Sequence, residues 1–128
     1  MCIRDSPETT ADFRALLNAA LGDDASAIRT AMLKIGYFTP TTPQADLIQK
    51  MFCAAMEPLR AKIPFDFAAS DLLDQLHRMG LAIGQDRELL HVPPAATLFL
   101  HRKIGGMYLM ASKLRARIAL GPMIETYR

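Results

Sequence analysis

The chain has 128 residues, of which 51% are hydrophobic, and a formal net charge of +2. This length fits one domain that can bury a single core. The small net charge excludes the strongly basic class of nucleic-acid-binding proteins. No stretch approaches the roughly 18 apolar residues of a membrane-spanning helix, and the N-terminus has no apolar run typical of a secretory signal.

Charge is unevenly distributed along the chain. Residues 1–90 contain nine Lys and Arg against twelve Asp and Glu, whereas residues 91–128 contain six against one. The basic end could face lipid headgroups or an acidic neighbour, or it could be an ordinary solvated surface.

The first six residues, Met-Cys-Ile-Arg-Asp-Ser, do not continue into the helical pattern that begins at Pro7. They resemble a translated adapter scar, so we interpret residues 1–6 as non-native and residues 7–128 as the helical segment. The natural N-terminus is then expected upstream. The two cysteines have no zinc-site spacing, and we predict that Cys53 is a free thiol in an apolar core.

Helix signals follow one another from the N-terminus. Ser6 caps a helix with Pro7 in its first turn, and Gly22 ends it. Asp23 or Asp24 caps a second helix that stops at Gly36.

Two further helices are predicted in the middle of the chain. Thr42 caps a third helix, which Pro58 should kink or end. Residues 61–69 form an extended loop, and Ser70 with Asp71 caps a fourth helix that reaches Gly80. Residues 81–92, which include Leu89, Leu90 and Val92, are ambiguous between an arm and a short helix.

A long helix is predicted at about residues 94–119, followed by a short closing helix with Met123, Ile124 and Tyr127. No strand pattern is present. The expected fold is therefore all-α, a bundle of about five to six helices. An inner arc of the long helix should be buried: Leu100, Ile104, Met107, Tyr108, Ala111, Leu114 and Ile118. Arg115 is also expected within this arc, where its charge needs a carboxylate partner or must reach out to solvent; a structural ion pair is favoured over a catalytic role.

The opposite side of the long helix mixes cationic and apolar residues. Its cations are candidates for contact with an anion or with lipid: Arg102, Lys103, Lys113 and Arg117. We expect its apolar residues to remain uncovered: Leu98, Phe99, Leu109 and Met110. We therefore expect self-association, which Leu109→Lys should relieve, whereas Leu114→Lys should unfold the chain. The pair Gly105-Gly106 indicates either close approach of another helix or a kink.

No catalytic, cofactor-binding or metal-binding residue is predicted. Phosphate-binding glycine loops, the HExxH motif and the GxSxG motif are all missing from the sequence. Asp66-Phe67-Ala68 is reminiscent of the metal-binding DFG of kinases. It lacks the glycine, however, and we interpret it as a loop that packs two aromatic rings into a core.

Several segments resemble the C-terminal region of AarF/UbiB-type atypical kinases. The most specific is Leu-Phe-Leu-His-Arg-Lys-Ile-Gly-Gly at residues 98–106. The others are Pro93-Pro94, Leu114-Arg115-Ala116-Arg117, Met123–Tyr127, Asp12-Phe13-Arg14, Gly36–Thr39, Pro64–Phe67 and Ser70-Asp71-Leu72. The resemblance covers residues 7–128.

The resemblance implies a kinase-like protein that binds ATP and magnesium and is linked to ubiquinone or isoprenoid-lipid metabolism. Its nucleotide and metal residues would all precede Pro7, so this chain would be a non-catalytic part of the C-lobe whose partner is the missing kinase-like portion. The implied location is cytoplasmic, with peripheral contact with the inner membrane left open. The alternative is an independent helical binding module whose basic helix docks on a membrane or a protein partner.

Overall fold

The computed structural model of the protein describes residues 6–84 and 94–128. Within these ranges it contains six α-helices and one pair of two-residue strands, which confirms the all-helical fold class. Residues 1–5 of the predicted scar, and Leu89, Leu90 and Val92, lie outside the described residues. The helices are α1 Pro7–Leu21, α2 Ala25–Ile35, α3 Ala45–Arg60, α4 Leu72–Gly84, α5 Ala95–Lys113 and α6 Leu120–Ile124, and a 3₁₀ turn follows at Glu125–Tyr127.

The starts of α1 and α2 follow the sequence signals. The Ser6 hydroxyl accepts a hydrogen bond from the Thr9 amide at 3.1 Å, and Pro7 is the first helical residue. The Asp24 carboxylate accepts hydrogen bonds from the amides of Ser26 and Ala27, both at 3.1 Å. Both caps satisfy amides that have no partner inside the first helical turn.

The ends of α1 and α2 are Schellman motifs, in which one residue adopts a left-handed conformation. Gly36 takes this position after α2, with φ of 99°, and the next amide donates to the Met32 carbonyl. After α1 the left-handed residue is Asp23, with φ of 53°, whereas Gly22 remains right-handed. Gly22 therefore marks the end of α1 without supplying its unusual backbone conformation.

The start of α3 differs from the prediction. Thr42 does not cap the helix: its hydroxyl accepts the Thr39 amide at 2.9 Å and so closes the preceding turn. The helix begins at Ala45. Its N-cap residue is Gln44, whose side chain makes no capping hydrogen bond. At the other end, Pro58 lies in the last turn and the helix stops two residues later, at Arg60.

The hydrophobic core lies among α1, α2, α3 and the loop that joins α2 to α3. Met32 and Ile28 of α2 are fully enclosed, and Phe38 of the loop is equally buried. Partly buried residues surround them, and Cys53 is one of these. It packs against the core but is not enclosed by it, so the predicted core position is only partly correct. The loop after Gly36 is thus part of the core, because Tyr37 and Phe38 both turn inward.

A small antiparallel ribbon, which the sequence did not predict, joins the loop before α4 to the segment after α5. Strand β1, Phe65–Asp66, pairs with strand β2, Arg117–Ile118, with Phe65 opposite Ile118. Two residues per strand are too few to produce an alternating pattern. Beyond the ribbon, the Ser70 hydroxyl accepts the Leu72 amide at 3.1 Å, and α4 continues past Gly80 to Gly84.

Helix α5 ends at Lys113, six residues before the predicted boundary. Its end is a third Schellman motif, in which Arg115 is the left-handed residue with φ of 53°. The Ala116 amide donates to the Ala111 carbonyl at 2.9 Å, and the Arg115 amide donates to Ser112. This motif redirects the chain into β2, and α6 then packs on α3, where Gly121 approaches the backbone carbonyls of Leu59 and Ala61.

Candidate functional site

Helix α5 is seated on the core at its N-terminal half. A side chain at Gly36 would lie 3.2 Å from the ring of Pro94, so the left-handed turn after α2 and the start of α5 touch closely. About two turns further along α5, the Tyr37 hydroxyl and the His101 Nε2 are 2.7 Å apart, and their ring centroids are separated by 5.3 Å. Thr97, between these contacts, is almost completely buried.

The Tyr37–His101 pair has a defined protonation state. Burial raises the pKa of Tyr37 to about 12, so its hydroxyl remains protonated at neutral pH. Much of His101 is exposed, but its Nε2 lies against buried Tyr37, and desolvation lowers its pKa. Both groups are therefore uncharged at neutral pH, and the imidazole tautomer sets which of them donates the hydrogen bond.

A cluster of three aromatic rings seats the C-terminal half of α5. Phe65 and Phe67 contact each other at a centroid distance of 4.9 Å, and Tyr108 lies 6.0 Å and 5.2 Å from them, respectively. The Tyr108 hydroxyl is buried and has no hydrogen-bond partner among the described residues. The two phenylalanines flank Asp66, so this loop does pack two aromatic rings inward.

Asp66 itself stabilises this loop. One of its carboxylate oxygens accepts the amides of Ala68 and Ala69, both at 3.2 Å, and the other lies 3.7 Å from Arg117 Nε. These contacts account for the Asp66-Phe67-Ala68 sequence without a metal ion. Within residues 6–84 and 94–128, no group of three or more His, Cys, Asp or Glu side chains could hold a metal.

The four predicted cationic contact residues separate into two groups. Arg102, Lys103 and Lys113 are exposed on α5, which contains no acidic residue. Arg117 lies on β2 and pairs with Asp66. Three of the four predicted contact residues therefore lie on α5, and the fourth belongs to the β1–β2 ribbon.

The predicted uncovered residues are exposed. Leu98, Phe99, Leu109 and Met110 retain between 44% and 64% of their surface. Together with the three cations, they make one side of α5 both apolar and positively charged, and we call these seven residues and Gly106 the outer face of α5. No other helix packs extensively along α5 in the described chain.

The predicted inner arc is only partly correct. Leu100, Tyr108, Ala111 and Ile118 are half-buried, but Ile104, Met107 and Leu114 retain 56% to 75% of their surface. The packed line actually runs through Thr97, His101 and Tyr108, and the helical spacing no longer applies to Leu114 and Ile118 because α5 stops at Lys113. The predicted arc was drawn through apolar residues only. It therefore missed the packed line, which includes the polar residues Thr97 and His101.

Arg115 also differs from the prediction. It is exposed after the end of α5, and no carboxylate of the described chain lies within ion-pair distance of it. The expected structural ion pair is therefore wrong. A positive charge near a helix C-terminus is still favourable, because it faces the negative end of the helix dipole.

The glycine pair in α5 lies in open space. The helix continues through Gly105 and Gly106, and no atom of the described chain lies within 4 Å of a side-chain carbon added at either position. The described residues therefore supply no neighbour that would explain the predicted close approach.

Comparison with known proteins shows a distant similarity to an atypical kinase. No protein-family model matches the chain. The chain is 28% identical over 112 residues to "Atypical kinase coq-8, mitochondrial" of Caenorhabditis elegans. It is distantly similar to an atypical kinase. The match covers 86% of this chain but only 15% of that protein, so the chain spans a small part of its relative.

None of the helices in residues 6–84 and 94–128 combines the length and the apolar character that crossing a membrane requires. The most specific polar contact of α5, between Tyr37 and His101, was missed by sequence reasoning. The two residues are 64 positions apart and share no motif, so no local spacing signals their contact.

Proposed function

We propose that this chain is the C-terminal helical segment of a UbiB-like atypical kinase or ATPase and that it scaffolds the kinase-like portion. The observation that supports this most directly is the similarity that covers 86% of the chain and 15% of an atypical kinase. In this proposal ATP and magnesium bind to the preceding portion, and the chain supplies none of their ligands. The whole protein would act in ubiquinone or isoprenoid-lipid metabolism.

The outer face of α5 supports the same proposal. A helix that is apolar on most of its circumference normally packs against more than one layer. The described chain covers α5 along the line of Thr97, His101 and Tyr108 and leaves the outer face exposed. The kinase-like portion would supply the second layer.

An independent binding module is the second candidate function. The three cations on α5, with no acidic residue on that helix, favour docking on an anionic membrane surface or an acidic protein. A peripheral location at the inner membrane is compatible with either candidate.

The gene that encodes the chain distinguishes the two. We expect the open reading frame upstream of Pro7 to continue into a kinase-like sequence with a nucleotide-binding loop. A stop codon followed by an authentic start codon just before Pro7 would instead favour the independent module.

A biochemical experiment tests the scaffold role directly. The upstream portion should become soluble when it is co-expressed with residues 7–128, and the two should co-purify. Phe99→Lys should reduce the yield of the complex, because it places a charge within the proposed contact. Ile63→Lys, at an exposed apolar residue away from α5, is the matched control. Equal yields with both variants would contradict a contact through α5.

A further inference from the structure

The outer face of α5 has an ordered arrangement. Successive residues of an α-helix are rotated by about 100°, so Arg102, Gly106 and Lys113 fall close to one line along the helix. Leu98 and Leu109 lie on one side of this line, and Phe99 and Met110 lie on the other. All seven residues are exposed. The centre of the face is therefore cationic and is flanked by two apolar margins, and Lys103 lies just beyond the margin formed by Phe99 and Met110.

Gly106 forms a notch in the middle of this line. A glycine inside a helix costs about 1 kcal/mol relative to alanine, and nothing in the described chain lies near enough to require it. A missing side chain is useful where another backbone approaches closely. The notch therefore indicates a folded partner whose backbone can approach α5 closely at Gly106.

Charge identifies the chemistry of that partner. Helix α5 contains no acidic residue, and Arg102 and Lys113 have no carboxylate within ion-pair distance in the described chain. A second copy of α5 can bury the apolar margins but brings like charges together along the central line, so we expect it to bind more weakly than an acidic partner. A partner with carboxylates on its own central line would neutralise them instead.

The positions of the cations separate a helix from a bilayer. A helix that lies on a membrane has one continuous apolar sector, with its cations on the polar face. On α5 the order is reversed, because Arg102 and Lys113 stand between two apolar margins. A bilayer would also gain nothing from the Gly106 notch.

We propose that the outer face of α5 is the docking surface for an acidic amphipathic helix that crosses α5 at Gly106. Carboxylates of the partner face Arg102 and Lys113, and its apolar side chains pack on the margins formed by Leu98 with Leu109 and by Phe99 with Met110. This inference rests on the proposed function to the extent that the partner helix belongs to the kinase-like portion.

Two synthetic helical peptides of about six turns test the charge requirement. They share one apolar pattern, and the central line carries Glu in one peptide and Lys in the other. Residues 7–128 should bind the Glu peptide with affinity that falls by about tenfold or more as salt is raised through the physiological range. The Lys peptide should not bind. Equal binding of both peptides, or of neither, would overturn the proposal.

Gly106→Leu tests the crossing point with little risk of unfolding. Leucine has a higher helix propensity than glycine, so the melting temperature of the chain should be unchanged or higher. Filling the notch should nevertheless weaken binding of the Glu peptide by about tenfold or more. Ala55→Leu, at an exposed position on α3, is the matched control and should bind as the natural sequence does.

Vesicles provide the competing outcome. Phosphatidylcholine vesicles with and without phosphatidylglycerol are mixed with the natural chain and with Gly106→Leu. Suppose that both the natural chain and Gly106→Leu bind the anionic vesicles and that the natural chain does not bind the Glu peptide. This result would identify a membrane surface as the partner and would refute the helix proposal. An upstream kinase-like reading frame without peptide binding refutes this inference alone, whereas peptide binding without such a frame refutes the proposed function alone.

Discussion

The hydroxyl of Tyr37 and the imidazole Nε2 of His101 are joined by a 2.7 Å hydrogen bond that ties α5 to the core. Tyr37 belongs to the loop that enters the core after α2, and its ring also lies 6.4 Å from that of Phe52 on α3. The orientation of α5 is therefore linked to the packing of α2 and α3, although no helix of the described residues packs extensively along it.

Removing the Tyr37 hydroxyl should destabilise the chain modestly. We expect Tyr37→Phe to lower the free energy of unfolding by about 1 kcal/mol, because His101 loses a hydrogen-bond partner but remains partly accessible to water. Urea unfolding followed by circular dichroism measures this change. Tyr127→Phe, at an exposed tyrosine, is the control. An unchanged midpoint for Tyr37→Phe would show that the hydrogen bond adds nothing to stability.

Stability should depend on pH through His101. Burial lowers its folded-state pKa below the ordinary value of 6.5. As pH falls through 6.5, the unfolded chain therefore takes up a proton that the folded chain does not, and the free energy of unfolding decreases. The full contribution is present above pH 6.5. His101→Gln should flatten this limb of the stability profile, and an equally steep profile for that variant would exclude His101 as its cause.

Tyr37 should limit stability at the alkaline end. Its pKa is raised from 10.0 to about 12, a difference that corresponds to about 3 kcal/mol. The contribution is complete below pH 10 and is lost as pH rises towards 12, because only the unfolded tyrosine ionises there. The loss should disappear in Tyr37→Phe, which can be measured in the same urea titrations at alkaline pH.

Two glycines near helix ends should respond in opposite ways to alanine. Gly36→Ala should cost about 1–2 kcal/mol, because alanine disfavours positive φ and its methyl group would lie 3.2 Å from the Pro94 ring. Gly22→Ala should be neutral or slightly stabilising, since Gly22 is right-handed and has only ordinary contacts. Thermal denaturation of both variants decides this, and equal losses would contradict the cap geometry.

Replacing the left-handed arginine should stabilise the end of α5. Arg115→Gly removes the side-chain strain of φ 53° and should raise the free energy of unfolding by about 1 kcal/mol. Arg115→Ala keeps the strain and removes only the charge, so it should not be stabilising. A gain of similar size in both variants would assign the effect to charge rather than to backbone conformation.

The uncovered apolar side chains should promote self-association of residues 7–128, since monomers rarely tolerate apolar patches beyond a few hundred Å². Leu109→Lys should reduce this association in sedimentation velocity. Leu114→Lys should be tolerated as well, in contrast to the sequence-based expectation, because Leu114 is among the most exposed apolar residues. Met32→Lys is the buried comparison and should unfold the chain.

Local chemistry explains which parts of the fold could be predicted. Ser6, Asp24 and Gly36 act on backbone groups within a few residues, so the ends of α1 and α2 could be read from the sequence. The end of α5 could not be predicted in this way, because its left-handed position, which is usually glycine, is occupied by Arg115.

The candidate site was predictable to a similar extent. The exposure of Phe99 and Leu109 followed from a helix with too many apolar residues for one packed side. The packed line through Thr97 and His101 depends on the loop after Gly36, which the helical pattern of α5 does not encode. A turn residue 64 positions away selects which side of α5 faces inward.

The two ends of α5 are fixed independently of each other. Pro94 rests on Gly36 at one end, and at the other the β1–β2 ribbon and α6 return the chain to α3. The helix is therefore held at both ends, even though the described residues leave its outer face exposed. A binding partner meets a preorganised surface, and the entropy normally lost in ordering such a helix has already been spent in folding.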